Sequence, residues 1–248
     1  MLYLIILFFA HWWASLFFHT FFLHRYASHK MFTTGQFREK MLHILTWLTQ
    51  GSSYLVPRAY AVMHRLHHVH SDTAHDPHSP HFFKDVVGMM LHTRDIYNDF
   101  VKGKLTAASE YCHDLPIWTS FERFADHSIT RLSWVAAYIA IYAAMIYYFD
   151  LSFLWFALLP IHFLMGPVQG AIVNWCGHKY GYQNYENGDH SHNSEPIGLF
   201  LLGELYQNNH HKFPTAANFA KKWFEWDPTY TVMLVLHRLR IIQLVKAN

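Results

Sequence analysis

The chain has 248 residues, of which 52% are hydrophobic, 18% aromatic and 15% charged, with a formal net charge of +2 and a pI of about 8.4. A soluble domain carries about 25% charged residues, so this composition points to a membrane. The small net charge and the absence of any Lys/Arg run exclude a nucleic-acid binder. Mean hydropathy is only +0.02 because 22 histidines dilute the apolar signal.

In chain order, residues 1–18 (MLYLIILFFAHWWASLFF) form the first apolar run. It holds no charged side chain, and about 18 helical residues span roughly 27 Å, close to a hydrocarbon core. With no basic region before it and no small-residue cleavage site, it reads as an anchor and not a signal peptide. Residues 42–62 are interrupted by Thr, Gln, Gly, Ser, Pro and Arg, and read as a helix lying in the membrane interface. Residues 132–149 and 151–173 are two further apolar runs around Asp150, a membrane hairpin in which Pro160 and Pro167 should kink the second arm. Tyr147, Tyr148 and Trp155 suit an interfacial belt near that turn. Arg25, Lys30, Arg38 and Lys40 follow the first span, Arg123 and Arg131 precede the second, and Lys179 follows the third. The positive-inside rule places all of these segments in the cytoplasm. The expected fold is all-α: a single domain over 1–248, multi-pass, with a cytoplasmic helical cap holding a histidine-rich dimetal site. Cys112 and Cys176 are too few for a disulfide framework, as suits a reduced, cytosol-facing chain.

Four histidine clusters lie on the cytoplasmic side of this topology: His19 with His24; His64 with His67 and His68; Asn174 with His178; and Gln207 with His210 and His211. Positions i, i+3 and i+4 share a helix face, so each of the last three clusters can aim at one point. His19 and His24 are five apart, about 140° around an ideal α-helix, and face one point only if the helix is irregular. Eight histidines exceed the four ligands of one zinc ion, which favours two metals. Imidazole suits Zn, Cu, Fe and Ni alike. His70, His75, His78, His81, His190 and His192 read as polar loop residues, His11 as a packed neutral histidine, and His162 as bonded to a neighbour.

At these residues the sequence resembles the integral-membrane fatty acid desaturases, specifically the acyl-CoA (stearoyl-CoA, delta-9-like) branch. The matching elements are HxxxxH at His19/His24, HxxHH at His64/His67/His68, NxxxH at Asn174/His178 and a last box at Gln207/His210/His211. His24-Arg25-Tyr26, Asp76-Pro77-His78, Gly203-Glu204 and Phe213-Pro214 flank them. The resemblance runs from about residue 1 to about 230. It implies a non-haem site of two Fe2+ ions, with O2 as co-substrate, that removes two hydrogens from a methylene pair and leaves a cis double bond. It carries the ligand roles over to His19, His24, His64, His67, His68, His178, His210 and His211, with Asn174 acting through water. Gln207, in place of the last box's first histidine, occupies a ninth ligand position. Asp72, Asp76 and Glu204 are candidates for fixing the imidazole tautomers. The family has four spans, and the first span here corresponds to its second.

The implied partners are a fatty acyl substrate (acyl-CoA or lipid-linked), membrane lipid and a separate electron donor of the ferredoxin, rubredoxin or cytochrome b5 type. A fatty acid hydroxylase or decarboxylase would use the same scaffold. A membrane metal carrier is the reading from another class, but its ligands belong near the midplane, where only His11 and His162 lie.

Overall fold

The first helix, α1 (Leu2–Phe18), does not stop where its apolar run stops. It passes directly into a ten-residue π-helix, His19–Ser28, giving one rod of 27 residues. In this computed structural model, which describes residues 1–195 and 198–245, the remaining elements pack around that rod. A two-residue strand β1 (Phe32–Thr33) leads to α2 (Gln36–Gln50), α3 (Pro57–His70), α4 (Val86–Val101) and α5 (Thr119–Asp126). Then come α6 (Ser128–Tyr148), α7 (Leu159–Phe163) and α8 (Met165–Cys176). The chain ends with α9 (Gln207–Lys212), α10 (Pro228–Arg238) and β2 (Gln243–Leu244), the last pairing antiparallel with β1.

The expected single helix over 42–62 is two helices. Gly51 sits at φ +55°, and a Cβ there would run into the Tyr138 hydroxyl. The Gln50 side chain then accepts the Leu55 N–H, and Pro57 restarts the helix at the first turn of α3. Of the expected hairpin, the first arm is one helix, α6, and the second is broken into shorter pieces. α6 begins ahead of the apolar run because the His127 ring caps it at the Ile129 N–H. The second arm is bent by 67° between α7 and α8. Pro167 lacks the N–H that would bond the Phe163 carbonyl. The Ser52 hydroxyl donates to that carbonyl instead, at 2.9 Å, and the Ser53 hydroxyl accepts the Gly166 N–H. The turn between α2 and α3 therefore supports the kink between α7 and α8.

Two helices are long and apolar enough to cross a membrane, Leu2–Ser28 and Ser128–Tyr148, or three if the bent pair over 153–176 is one span. Apart from Ser128 and Ser133 near its start, the exposed side chains of α6 are apolar or aromatic (Leu132, Ile139, Ile141, Tyr147 and Tyr148 among them). Between these helices the polar groups satisfy one another. His11 donates from Nε2 to the Thr49 carbonyl, which leaves its Nδ1 to accept from His162 Nδ1 at 2.6 Å, while His162 Nε2 accepts the Tyr142 hydroxyl. A ring system of this kind replaces the water that such groups lack in a membrane.

A separate core joins the π-helix to the C-terminal elements: Phe21, Phe22, Tyr26 and Phe32 pack with Tyr206, Phe219, Met233 and Ile242. Arg25 lies at its centre, fully buried, with its guanidinium 2.9 Å from Asp227 and 4.0 Å above the Phe219 ring.

His43 on α2 is fully buried among Phe22, Trp118 and Phe121, and both its ring nitrogens lack a partner. Burial lowers its pKa to about 4. The unfolded ring, near 6.5, takes up its proton first as pH falls. His43 therefore favours folding fully above pH 6.5, and this contribution is lost as pH falls towards 4, about 3 kcal/mol in all. The variant His43→Leu is expected to show a smaller loss of thermal stability between pH 7 and pH 5 than the unmutated chain, measured in detergent. Parallel curves for the two would exclude this role for His43.

Candidate metal centre

The π-helix solves the five-residue spacing. Its i→i+5 hydrogen bonds bring residues five apart to one side of the helix, one above the other, where an α-helix would separate them. The last of these bonds runs from the His29 N–H to the His24 carbonyl. His24 and His29 thus face α3 together. On α3, His64, His67 and His68 share one face, as their spacing requires. The short helix α9 brings His210 and His211 against them, and His178 follows α8 directly after Gly177.

Among the described residues, three groups of side chains could hold a metal ion, and two of them consist of imidazoles alone. His24, His29, His64, His68 and His210 form the first, and His67, His178 and His211 the second, with the atoms of each set within 4.8 Å of one another. In the first, Nε2 atoms converge: His24 to His210 at 2.9 Å, His68 to His210 at 2.9 Å, and His29 to His64 at 2.8 Å. In the second, His67 and His211 approach through Nε2 at 3.2 Å, and the buried Nε2 of His178 has no protein partner.

The outer nitrogens explain this orientation. His24 Nδ1 donates to Glu204 at 2.6 Å, His67 Nδ1 to Asp76 at 2.9 Å, His178 Nδ1 to Asp72 at 2.9 Å and His211 Nδ1 to Asp189 at 2.6 Å. Each carboxylate holds the proton on Nδ1 and leaves the Nε2 lone pair aimed inward, the arrangement that metal-binding imidazoles use. Burial first, then the neighbouring imidazoles, hold His64, His67, His68 and His210 well below the ordinary histidine pKa, so these rings are neutral at pH 7. Burial is the largest single effect on Asp72 and would raise it, but the His178 ring, the His190 N–H and the Ser79 hydroxyl together outweigh it and hold the carboxyl at about 2. Two sets of imidazoles, each converging on one point, with one buried lone pair unmatched, fit a pair of metal ions.

Of the residues expected as ligands, His24, His64, His67, His68, His178, His210 and His211 are brought together. His19 is not. It lies one turn earlier on the rod, edge-on to Tyr60, and belongs to neither set. The reason is level: Tyr60 stands one turn before His64 on α3, so His24 meets His64 while His19 meets Tyr60. The HxxxxH box that reaches the site is therefore His24/His29, a pair with the same spacing. Asn174 occupies the last turn of α8, partly buried, and belongs to neither set. Gln207 is buried beside Gly177, and its amide nitrogen donates to the Glu204 carbonyl at 2.6 Å.

One loop histidine, His78, differs from expectation, while His81 stays exposed on the loop. His78 is buried with its ring centre 4.2 Å from that of His67, and the His81 ring donates to the His178 carbonyl. The expected tautomer-fixing carboxylates Asp72, Asp76 and Glu204 are in place, and Asp189 completes them. The loop that carries Asp189 is clamped by the asparagines of α9: Asn208 accepts the N–H groups of Asn184 and Tyr185, and Asn209 bonds Phe219, Glu225 and Asn193.

A sequence model of the family described as "Fatty acid desaturase" matches residues 1–221. The chain belongs to the fatty acid desaturase family. This makes it an oxidoreductase of fatty acyl chains. The desaturase is 27% identical over 227 residues to an sn-1 stearoyl-lipid 9-desaturase of Anabaena variabilis, covering 90% of this chain and 76% of the relative. It is 26% identical over 236 residues to a hex-5-enoyl-[acyl-carrier protein] acetylenase of Moorena producens, covering 90% and 71%. It is also 27% identical over 231 residues to an acyl-CoA 5-desaturase of Anemone leveillei, covering 90% and 65%.

The carboxylate partners make a direct prediction for this desaturase. Asp189→Ala is expected to weaken metal binding roughly 10–100-fold by freeing the His211 ring to turn. A competition titration against a chromophoric chelator reads this, and unchanged affinity would remove Asp189 from the centre.

Proposed function

We propose that the chain uses O2 to convert a fatty acyl chain, on CoA or a lipid, to a cis-monounsaturated product at two iron ions. The observation that supports this is the pair of converging imidazole sets, with four outer nitrogens held by carboxylates. One set of ligands is His24, His29, His64, His68 and His210. The other is His67, His178 and His211, with Asn174 and Gln207 at its edge.

When bound, the iron ions would supply reduction of O2 and removal of two hydrogens from adjacent methylenes. The balance is one saturated pair, O2, two electrons and two protons giving one double bond and two waters. A separate protein donor of the ferredoxin, rubredoxin or cytochrome b5 type supplies the electrons. The residues of the chain do the rest. The π-helix and α3 set the separation of the two sets, and the carboxylates fix the ring orientations. The spans hold both sets at the cytoplasmic end of a multi-pass membrane domain, where an acyl tail in the bilayer can reach them. Placement at the ends of the spans and away from their middles, together with family membership, favours an enzyme over a metal carrier.

Expression in a host lacking its own desaturase, beside a His210→Ala control, tests this reading. Fatty acids are then analysed by mass spectrometry with double-bond localisation. A new cis monoene made only by the unmutated chain is the expected result. Hydroxylated or shortened products in its place would overturn desaturation.

A further inference from the structure

The two imidazole sets are unequal: five rings in one and three in the other. Gln207 shares an α9 face with His211, a member of the poorer set, so a histidine at 207 would offer that set a fourth ring. Its amide nitrogen is committed to the Glu204 carbonyl, which leaves only a carboxamide oxygen. Amide oxygen suits Mg, Ca and Mn better than it suits iron, for which imidazole is the better match.

A spare imidazole lies next to this poorer set. His78 is 4% exposed, and neither of its ring nitrogens has a partner. Among the described residues only His43 shares that state, and His43 lies in an aromatic cage on α2, away from both sets. Burying two unpaired ring nitrogens is costly, so a position that keeps them invites a function. The His78 ring stands 4.2 Å from that of His67, and one His78 nitrogen lies within 4.8 Å of ligand atoms of His67 and Asp76. His178 and His211 are close enough to act on it electrostatically. Its backbone is pinned by the N–H bond to Asp76, while no hydrogen bond restrains its ring. No hydrogen bond has to be broken for the ring to turn toward the poorer set.

We propose that His78 supplies the imidazole that Gln207 does not, completing the three-histidine half of the centre. This rests on the dimetal reading above. Three variants test it on the purified, iron-loaded chain: His78→Phe, Gln207→His, and the two together. The readouts are iron per chain after mild chelation and the Mössbauer spectrum of the loaded protein.

The unmutated chain and Gln207→His are expected to keep two iron ions. His78→Phe is expected to bind the second ion roughly 10–100-fold more weakly and so to retain about one, because it loses a donor comparable to those whose loss costs that much. The double variant regains two, because the imidazole introduced by Gln207→His restores the missing donor. If His78→Phe keeps two ions with an unaltered spectrum, the proposal fails. If the double variant stays at one, His78 acts by packing under the loop and the proposal fails equally. Should Phe at 78 prevent folding, His78→Asn gives the same comparison in a polar side chain of similar size. An unmutated chain that takes up no iron overturns the dimetal reading itself, a result distinct from either failure above.

Discussion

His29→Ala is expected to abolish desaturation, at least about 100-fold, and to lower iron content, while His19→Ala keeps the metal. The two residues have equal claim from the sequence, since each lies five positions from His24. Geometry separates them. His29 Nε2 lies 2.8 Å from His64 Nε2, and its ring packs edge-on against His64, His68 and His210. His19 meets Tyr60 and stands outside both sets. Removing a metal ligand exceeds the 10–100-fold cost of removing an outer-sphere partner, so the His29 effect should be visible in iron content as well as turnover. Iron analysis of the two purified variants decides the matter. Full iron in His29→Ala, or loss of iron in His19→Ala, would restore the alternative box.

The second large effect concerns stability. Arg25→Leu leaves Asp227 buried without its cation, and breaking a buried pair in this way costs about 3–5 kcal/mol. Asp227 also accepts the N–H groups of Phe219 and Tyr230, the latter at the start of α10, so its loss of balance is felt where the C-terminal helix begins. Each kcal/mol moves the midpoint of a chain this size by about 2–4 °C, which predicts a fall of about 10 °C. Pairing the change with Asp227→Leu should recover part of it, because two apolar partners leave no charge stranded. A thermal shift measured in detergent on the single and double variants reads both. A single variant as stable as the unmutated chain would mean that Asp227 finds another cation.

Much of this is legible in the sequence. The uncharged runs mark the membrane helices, because charge is costly in a bilayer and its absence over about 18 residues is hard to mistake. The HxxHH and QxxHH patterns mark their helix faces, because i, i+3 and i+4 coincide on any α-helix. The first box reads one turn too early, because a ten-residue π-helix leaves no mark in a local apolar pattern and both pairs have equal spacing. The helix expected over 42–62 breaks at Gly51 because Tyr138, far along the chain, takes the space a Cβ would need. Asp189 is hidden for a similar reason. Its partner His211 lies 22 residues on, and only the asparagine clamp of α9 brings the two together. His78 reads as one histidine among many in a polar loop, and its burial is a tertiary fact.

The four carboxylates behind the imidazoles also fix the electrical balance of the centre. The two divalent ions proposed above would bring four positive charges into a buried place, and neutral imidazole ligands would bring none. Glu204, Asp76, Asp72 and Asp189 supply four negative charges one bond further out. Arg25, the neighbour of His24 in the chain, is already neutralised by Asp227. A centre filled in that way would be neutral as a whole, with the opposite charges separated by the width of a ring. Emptying it would leave four like charges in a small volume, so the carboxylates that orient the ligands also drive the protein to keep its metal.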